Sequence, residues 1–67
     1  MPYIIEKIEP VTGHIFYYSR GNWGHLNDAG VYKRVSNCRG VINKKKLSHC
    51  RVKEIVIALK GSYYELE

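Results

Sequence analysis

Five side chains in this sequence have the chemistry of nucleophiles or soft metal ligands: His14, His25, His49, Cys38 and Cys50. A structural zinc site usually takes two pairs of ligands, each pair only a few residues apart. Here His49 and Cys50 are adjacent and have no second pair, so we expect neither a metal ion nor another cofactor. Cys38 is expected to be a small core residue, because free cysteines are among the most buried residue types.

Carboxylates that could work as a general acid and base are not paired in a useful way. The close pairs are Glu6 with Glu9 and Glu65 with Glu67, and both lie near an end of the chain. Glycine-rich phosphate-binding motifs and the metalloprotease motif HExxH are absent from the sequence. We therefore predict that the protein is not an enzyme. A small enzyme remains the weakest of three alternatives, and turnover lost on substitution of His49 or Cys50 would revive it.

Basic residues are concentrated in the middle of the chain. Eleven lysines and arginines against six acidic residues give a formal net charge of +5, and no acid occurs between Asp28 and Glu54. This asymmetry favours an anionic partner, although it is also typical of a solvated face that keeps a small protein in solution. The candidates for contact with phosphates or an acidic partner are Lys33, Arg34, Arg39, Lys44, Lys45, Lys46, Arg51 and Lys53.

Aromatic residues interleaved with these cations could stack on the bases of a nucleic acid. The candidates are Tyr17, Tyr18 and Tyr32. Ordinary strand filling is the simpler role, because tyrosine is a preferred strand residue. No ribonucleoprotein-type motif indicates sequence-specific recognition of RNA.

Size and composition limit the class of protein. A chain of 67 residues supports one domain, residues 1–67. With 45% hydrophobic and 25% charged residues it is neither disordered nor an integral membrane protein. The longest apolar run has five residues, against the roughly 20 that a spanning helix needs, so no membrane partner is expected. The first residues lack a basic signal region, and two cysteines suit a reducing compartment, so we expect a cytosolic location.

The first half of the chain is expected to be extended. Residues 3–9 and 14–19 are rich in strand-forming residues and are separated by turn residues around Pro10 and Gly13, so they predict a β-hairpin. Residues 23–30 predict a loop anchored by Trp23 and Leu26, with Trp23 covering the core beneath it. A short third strand is predicted at residues 31–35.

The second half predicts a helix followed by a hydrophobic strand. Ser36 is a plausible N-cap for a helix over residues 37–45, with Cys38, Val41 and Ile42 on one face. Residues 52–59 predict the last main strand. Its apolar run at residues 55–59 lacks alternation, which favours burial on both faces or a central position in the sheet. Residues 62–66 are either a tail or an added edge strand.

The order β-β-β-α-β predicts an α+β fold in which one short helix packs on a small, mainly antiparallel sheet. One helix covers only one of the two sheet faces. The other face must therefore be polar or meet another molecule, and the surplus of tyrosines favours the second. A homodimer is one way for so small a chain to gain buried surface.

Residues 21–34, which read GNWGHLNDAGVYKR, followed by a capped helix and the segment VKEIVI at residues 52–57, resemble small orphan proteins encoded by tailed bacteriophages. In these a hairpin opening in YII leads to a W…LxDAxVY segment, a short helix and a last strand of the VxEIV type. The sequence departs from that pattern at Cys38 and Gly40, where small helix formers are expected. The resemblance implies a phage-encoded early or accessory protein that binds and redirects or blocks a host enzyme or defence system, and it identifies no catalytic residue.

Two binding functions therefore stay open. The first, which the sequence favours, is an interaction protein that inhibits or modulates a host protein, such as a nuclease, a defence factor or another nucleic-acid machine. The second is an accessory protein that binds DNA or RNA directly through the basic region of residues 33–53. A salt titration distinguishes them, because phosphate contacts weaken steeply with salt and a hydrophobic interface does not.

Overall fold

The fold is that of a computed structural model, which describes residues 2–58 and 61–65. Within these residues no helix combines the length and apolar character that crossing a bilayer requires. The predicted α+β class is confirmed. The elements are strands β1 (Tyr3–Ile8), β2 (Ile15–Ser19) and β3 (Asn22–Gly24), a 3₁₀ turn (Leu26–Asp28), helix α1 (Val35–Lys45), and strands β4 (Cys50–Ile57) and β5 (Tyr63–Glu65).

The five strands form one antiparallel sheet in the order β3-β2-β1-β4-β5. β1 is the central strand, and its Ile4 and Ile5 are fully buried on opposite faces of the sheet. Burying a side chain of this size contributes about 1.5–3 kcal/mol. β3 and β5 form the two edges of the sheet. Residues 62–66 were predicted as either a tail or an edge strand, and the structure shows the edge strand β5. Leu66 lies outside the described residues.

Helix α1 packs on one face of the sheet, which we call the helix side. Its buried Cys38, with Val41 and Ile42 one turn later, packs against Ile5 of β1 and Val52 of β4. The predicted apolar face of the helix is therefore confirmed. Because Gly40 weakens an isolated helix, this packing must supply much of its stability.

The sequence suggested that the opposite face of the sheet would be uncovered. The structure instead shows apolar packing on that face. Ala29 is buried there with Ile4 and Ile55, and Leu26 of the 3₁₀ turn packs against them. The same turn reaches the edge strand, where the Tyr63 backbone N–H donates to Asn27 Oδ1 at 3.1 Å. The prediction that Leu26 anchors this segment is confirmed.

The third strand was predicted in the wrong place. β2 turns at once into β3 because Arg20 and Gly21 both adopt positive φ, at 47° and 89°, as a two-residue hairpin turn requires. Trp23 therefore lies in β3, and its ring packs edge-to-face on Tyr18 at 5.3 Å between centroids. Of the segment predicted as a strand, Tyr32 forms only an isolated bridge to β1.

Helix α1 also begins earlier than predicted. Its N-cap is Arg34, not Ser36, and no side chain caps it. The Arg34 carbonyl accepts the backbone N–H of Asn37 at 3.1 Å. The helix ends near Lys45 as expected, because Lys46 adopts a left-handed conformation with φ 53° and turns Leu47 into the core.

Burial on both faces at the end of β4 is a wrong prediction for the residues that the structure describes. Ile55 is buried, but Val56 and Ile57 are 44% and 50% exposed. Here β4 has only the three-residue β5 beside it, and neither Val56 nor Ile57 belongs to the packed clusters on the two faces of the sheet. Leu59 lies outside the described residues.

Candidate binding surface and a buried carboxyl pair

The structure divides the basic segment between the two faces of the sheet. Arg51 and Lys53 of β4 lie on the face opposite the helix, beside Glu6 and Ile4 of β1. The other six candidates are all exposed and lie on α1 or at its two ends. We call these six the helix cations: Lys33, Arg34, Arg39, Lys44, Lys45 and Lys46.

The helix cations follow the length of α1, whose 11 residues span about 16 Å. Lys33 and Arg34 precede its first turn, while Lys44 and Lys45 are in its last turn. With 3.6 residues per turn, Arg39 and Lys44 fall on opposite flanks of the exposed side. Between these flanks runs a neutral strip of small or uncharged exposed residues: Ser36, Gly40 and Asn43.

Opposite charges do not neutralise this surface from within the described chain. Across residues 2–58 and 61–65 the one ion pair joins Arg51 to Glu6, so no helix cation has a carboxylate within 4.0 Å there. The first turn of α1 contains no acid. A helix N-terminus favours negative charge, so Lys33 and Arg34 do not stabilise α1, whereas cations in its last turn contribute about 0.3–1 kcal/mol each.

The three candidate tyrosines are not gathered on this surface. Tyr18 is buried against Trp23 in the core, which leaves almost no ring surface on which a base could stack. Tyr17 is half-buried on the opposite face of the sheet. Only Tyr32 lies next to a helix cation, and it too is half-buried, with burial raising its pKa. None of the three candidate tyrosines therefore offers an exposed ring on which a base could stack beside the helix cations.

A second group of polar side chains lies on the face opposite the helix, and its two acidic members, Glu6 and Glu65, were not among the predicted binding residues. Glu6 is only 1% exposed, and its Oε1 accepts a hydrogen bond from Arg51 Nε at 2.6 Å. Its carboxyl group is also a hydrogen-bonding neighbour of Glu65 on β5. The hydroxyl group of Tyr17 lies beside Glu65 as well.

Ionisation of the two carboxyl groups is shifted in opposite directions. Burial opposes ionisation of Glu6, but hydrogen bonds from Glu65 and Arg51 hold its pKa below the ordinary value. The hydrogen bond to Glu6, burial and repulsion by the Glu6 charge raise the pKa of Glu65 to about 7. Burial and the same two carboxylates raise the pKa of Tyr17. These opposite shifts favour a proton on Glu65 and an ionised Glu6 at pH values below about 7.

The sequence does contain a signal for this pair, although residue spacing hides it. Glu6 occupies the middle of an apolar alternation, Ile4-Glu6-Ile8, whose side chains share one face of β1. An acid at such a position needs a partner from another strand. Glu65 comes from the far end of the sequence and reaches Glu6 only because β4 brings β5 back across the sheet.

The cysteines and histidines do not assemble into a site. Cys38 is fully buried, and burial raises the pKa of its thiol to about 11. Cys50 is half-buried, its pKa is also raised by burial, and its Sγ donates to the Ser48 carbonyl at 3.3 Å. In the described part of the chain no three His, Cys, Asp or Glu side chains converge as a metal site requires, and there is no pocket.

Exposed apolar side chains cluster at the free end of β4 and on β5. Val56 and Tyr64 are cross-strand neighbours, 44% and 59% exposed. Val56 lies four residues after Val52 of the helix-side core, so it points to the same side of the sheet as α1. Ile57 is exposed on the other side. We call Val56 and Tyr64 the apolar patch.

Comparison of the chain with protein-family models, with curated proteins and with solved structures gave no match.

Proposed function

We propose that this protein is a non-catalytic binding module whose helix cations contact the phosphate backbone of a nucleic acid. One observation supports this function above all. Six exposed cations lie on α1 or at its ends, and in the described chain none of them has a carboxylate partner within 4.0 Å. Lysine and arginine contacts to phosphate are independent of base sequence, which suits a helix surface on which none of the three candidate tyrosines presents an exposed ring.

The size of the helix suits a polyanion better than a single charged ligand. Over the roughly 16 Å of α1, duplex DNA presents about nine phosphate charges, more than enough for six cations. A surface that serves only solubility usually mixes both signs of charge. The neutral strip at Gly40 would let a phosphate backbone approach α1 closely, because a Cβ built there meets nothing within 4 Å.

Charge reversal of the C-terminal cations tests this function. We expect the triple variant Lys44→Glu, Lys45→Glu, Lys46→Glu to bind a 20-base-pair duplex more than about tenfold more weakly in 50 mM salt. Far-ultraviolet circular dichroism establishes that the variant is folded. A matched pair of single changes gives the control: Lys44→Gln should weaken binding, and Arg20→Gln, in the turn between β2 and β3, should not. Unchanged affinity of the triple variant would contradict the function.

A second function, the inhibition or modulation of a host protein, is favoured by the apolar patch. Val56 and Tyr64 lie on the same side of the sheet as the helix cations, so one partner could contact both surfaces. A nuclease, a defence factor or another nucleic-acid machine in the host cytosol fits that combination of charge and apolar surface. The resemblance to phage orphan proteins points the same way, and a second copy of this chain is the other candidate occupant.

Substitutions in the apolar patch separate the two functions. The double variant Val56→Thr, Tyr64→Thr keeps strand-forming residues and removes most of the apolar surface. If the patch binds a protein, the variant loses partners from a nuclease-treated bacterial lysate but keeps its affinity for duplex DNA. Sedimentation of the purified wild-type protein and of the purified double variant shows whether the apolar patch forms a homodimer. Identical partners and identical oligomeric state would rule out a role for the patch.

A further inference from the structure

Edge strand β5 is attached to the fold by few contacts. It has three residues and pairs only with β4, through Ile55 with Glu65 and Ile57 with Tyr63. The 3₁₀ turn adds one hydrogen bond, from the Tyr63 N–H to Asn27 Oδ1. The Tyr63 side chain also packs against the apolar core of that face. The Glu65 carboxyl group lies beside the Tyr17 hydroxyl group and contacts the carboxyl group of Glu6 on the central strand.

This last contact needs a proton. Glu6 Oε1 is taken by Arg51, while Glu6 Oε2 and Glu65 Oε1 are both buried and have no N–H or O–H partner among the described residues. Two ionised carboxylates in contact repel each other, and each buried oxygen would lose the hydrogen bonds that water gives it. A single proton between the two groups removes both penalties.

We propose that a proton shared by Glu6 and Glu65 holds β5 on the sheet, and that loss of this proton releases the edge strand. The inference is independent of nucleic-acid binding by the helix cations. It assigns a conformational role to side chains on the face of the sheet opposite α1.

The charged groups around the pair decide which carboxyl group keeps the proton. Arg51 of β4 contacts Glu6 directly, so Glu6 is the ionised member. Lys53 of β4 and Tyr17 of β2 also face Glu65. Both lower the pKa of Glu65, but by less than Glu6 raises it. The 3₁₀ turn presents the neutral side chain of Asn27 to β5, and its one acid, Asp28, is exposed.

The direction of the pH effect follows from the protonated state of the attached strand. With β5 in place, the pKa of Glu65 is raised from 4.5 to about 7. In a released strand this carboxyl group returns towards its ordinary pKa. The attachment is therefore complete below about pH 4.5 and is progressively lost as the pH rises to about 7. Release leaves one edge of β4 unpaired beside Val56 and Ile57.

Amide hydrogen exchange on the full chain tests this inference. Between pH 5.5 and 8.5, after correction for intrinsic exchange rates, we expect protection of β5 to fall more than about tenfold relative to that of β1. The variant Glu65→Gln keeps a neutral hydrogen-bonding group and should make β5 protection independent of pH. The control Glu54→Gln, on the helix side of β4, should keep the wild-type dependence.

Two results would overturn the inference: equal protection of β5 at both pH values, or a pH dependence that survives in Glu65→Gln. Carbon-13 titration of the wild-type Glu65 carboxyl group gives an independent measurement that needs no variant. A midpoint near neutral pH supports the shared proton, and a midpoint near 4.5 contradicts it.

Discussion

Nε of Arg51 lies 2.6 Å from Oε1 of Glu6, and this contact joins a half-exposed cation to a carboxylate that is only 1% exposed. The hydrogen bond connects β4 to the central strand β1 on the face opposite the helix. Arg51 therefore has an internal partner that the helix cations lack. The basic segment of the sequence therefore contains two groups of cations. Arg51 stabilises the fold, whereas the helix cations face solvent.

Loss of this arginine should destabilise the protein. Replacing Arg51 with alanine leaves the buried Glu6 carboxylate without its cation, which we expect to lower the free energy of unfolding by about 1–3 kcal/mol. The value is below that of a fully buried pair because water reaches the Arg51 side chain. Urea unfolding measures the effect. Arg39→Ala, on the exposed side of α1, is the control and should change stability by less than about 0.5 kcal/mol. Equal stability of the two variants would contradict the assignment.

Gly40 should be replaceable without cost to the fold. An alanine Cβ there meets nothing within 4 Å, so Gly40→Ala should raise the free energy of unfolding by about 0.5–1 kcal/mol through helix propensity. At Gly21 the same substitution should destabilise, because φ is +89°. If α1 binds phosphates across the neutral strip, Gly40→Ala also weakens DNA binding. Thermal unfolding and a binding titration measure the two effects.

The N-terminus of α1 should show a conflict between stability and binding. Arg34 occupies the N-cap without a side-chain hydrogen bond, so Arg34→Ser should stabilise the protein by about 0.5–2 kcal/mol while it removes a helix cation. Lys33→Ser removes a neighbouring cation without supplying a cap. We expect both variants to bind duplex DNA more weakly and only the first to be more stable. A stable Arg34→Ser variant with unchanged affinity would exclude Arg34 from the binding surface.

The two thiols should react at very different rates. Cys38 is fully buried with a pKa of about 11, whereas Cys50 is half-buried in β4. A thiol reagent at pH 8 should therefore label Cys50 first and reach Cys38 only when the protein unfolds. In Cys50→Ser the remaining labelling should follow the rate of unfolding. Equal labelling rates for both cysteines in the native protein would contradict the packing of α1.

The elements that could be predicted from the sequence are those with a strong local pattern. The hairpin of β1 and β2 follows from residue type and turn chemistry, and the apolar face of α1 follows from the spacing of Cys38, Val41 and Ile42. The hidden feature was the turn at Arg20, a residue type that rarely adopts positive φ. Because of that turn, the third strand comes earlier in the sequence than predicted. Residues 26–29 then cover the second face of the sheet.

The binding surface was only partly predictable for a different reason. Charge along the sequence identifies all eight cations, but strand register sends Arg51 and Lys53 to the face opposite α1. The carboxyl pair was not predictable from spacing, because Glu6 and Glu65 meet only through the order of strands in the sheet. Such contacts depend on topology, which local sequence patterns do not specify.

The salt dependence of DNA affinity tests the central claim most directly. Each phosphate neutralised adds about −0.9 to the slope of log affinity against log salt concentration, so full engagement of the six helix cations predicts a slope near −5 between 50 and 200 mM salt. The triple variant at Lys44, Lys45 and Lys46 should have a slope shallower by about 3 under the same relation. An affinity that is equal at 50 and 200 mM salt, or a slope that the triple variant leaves unchanged, would contradict phosphate binding by the helix cations.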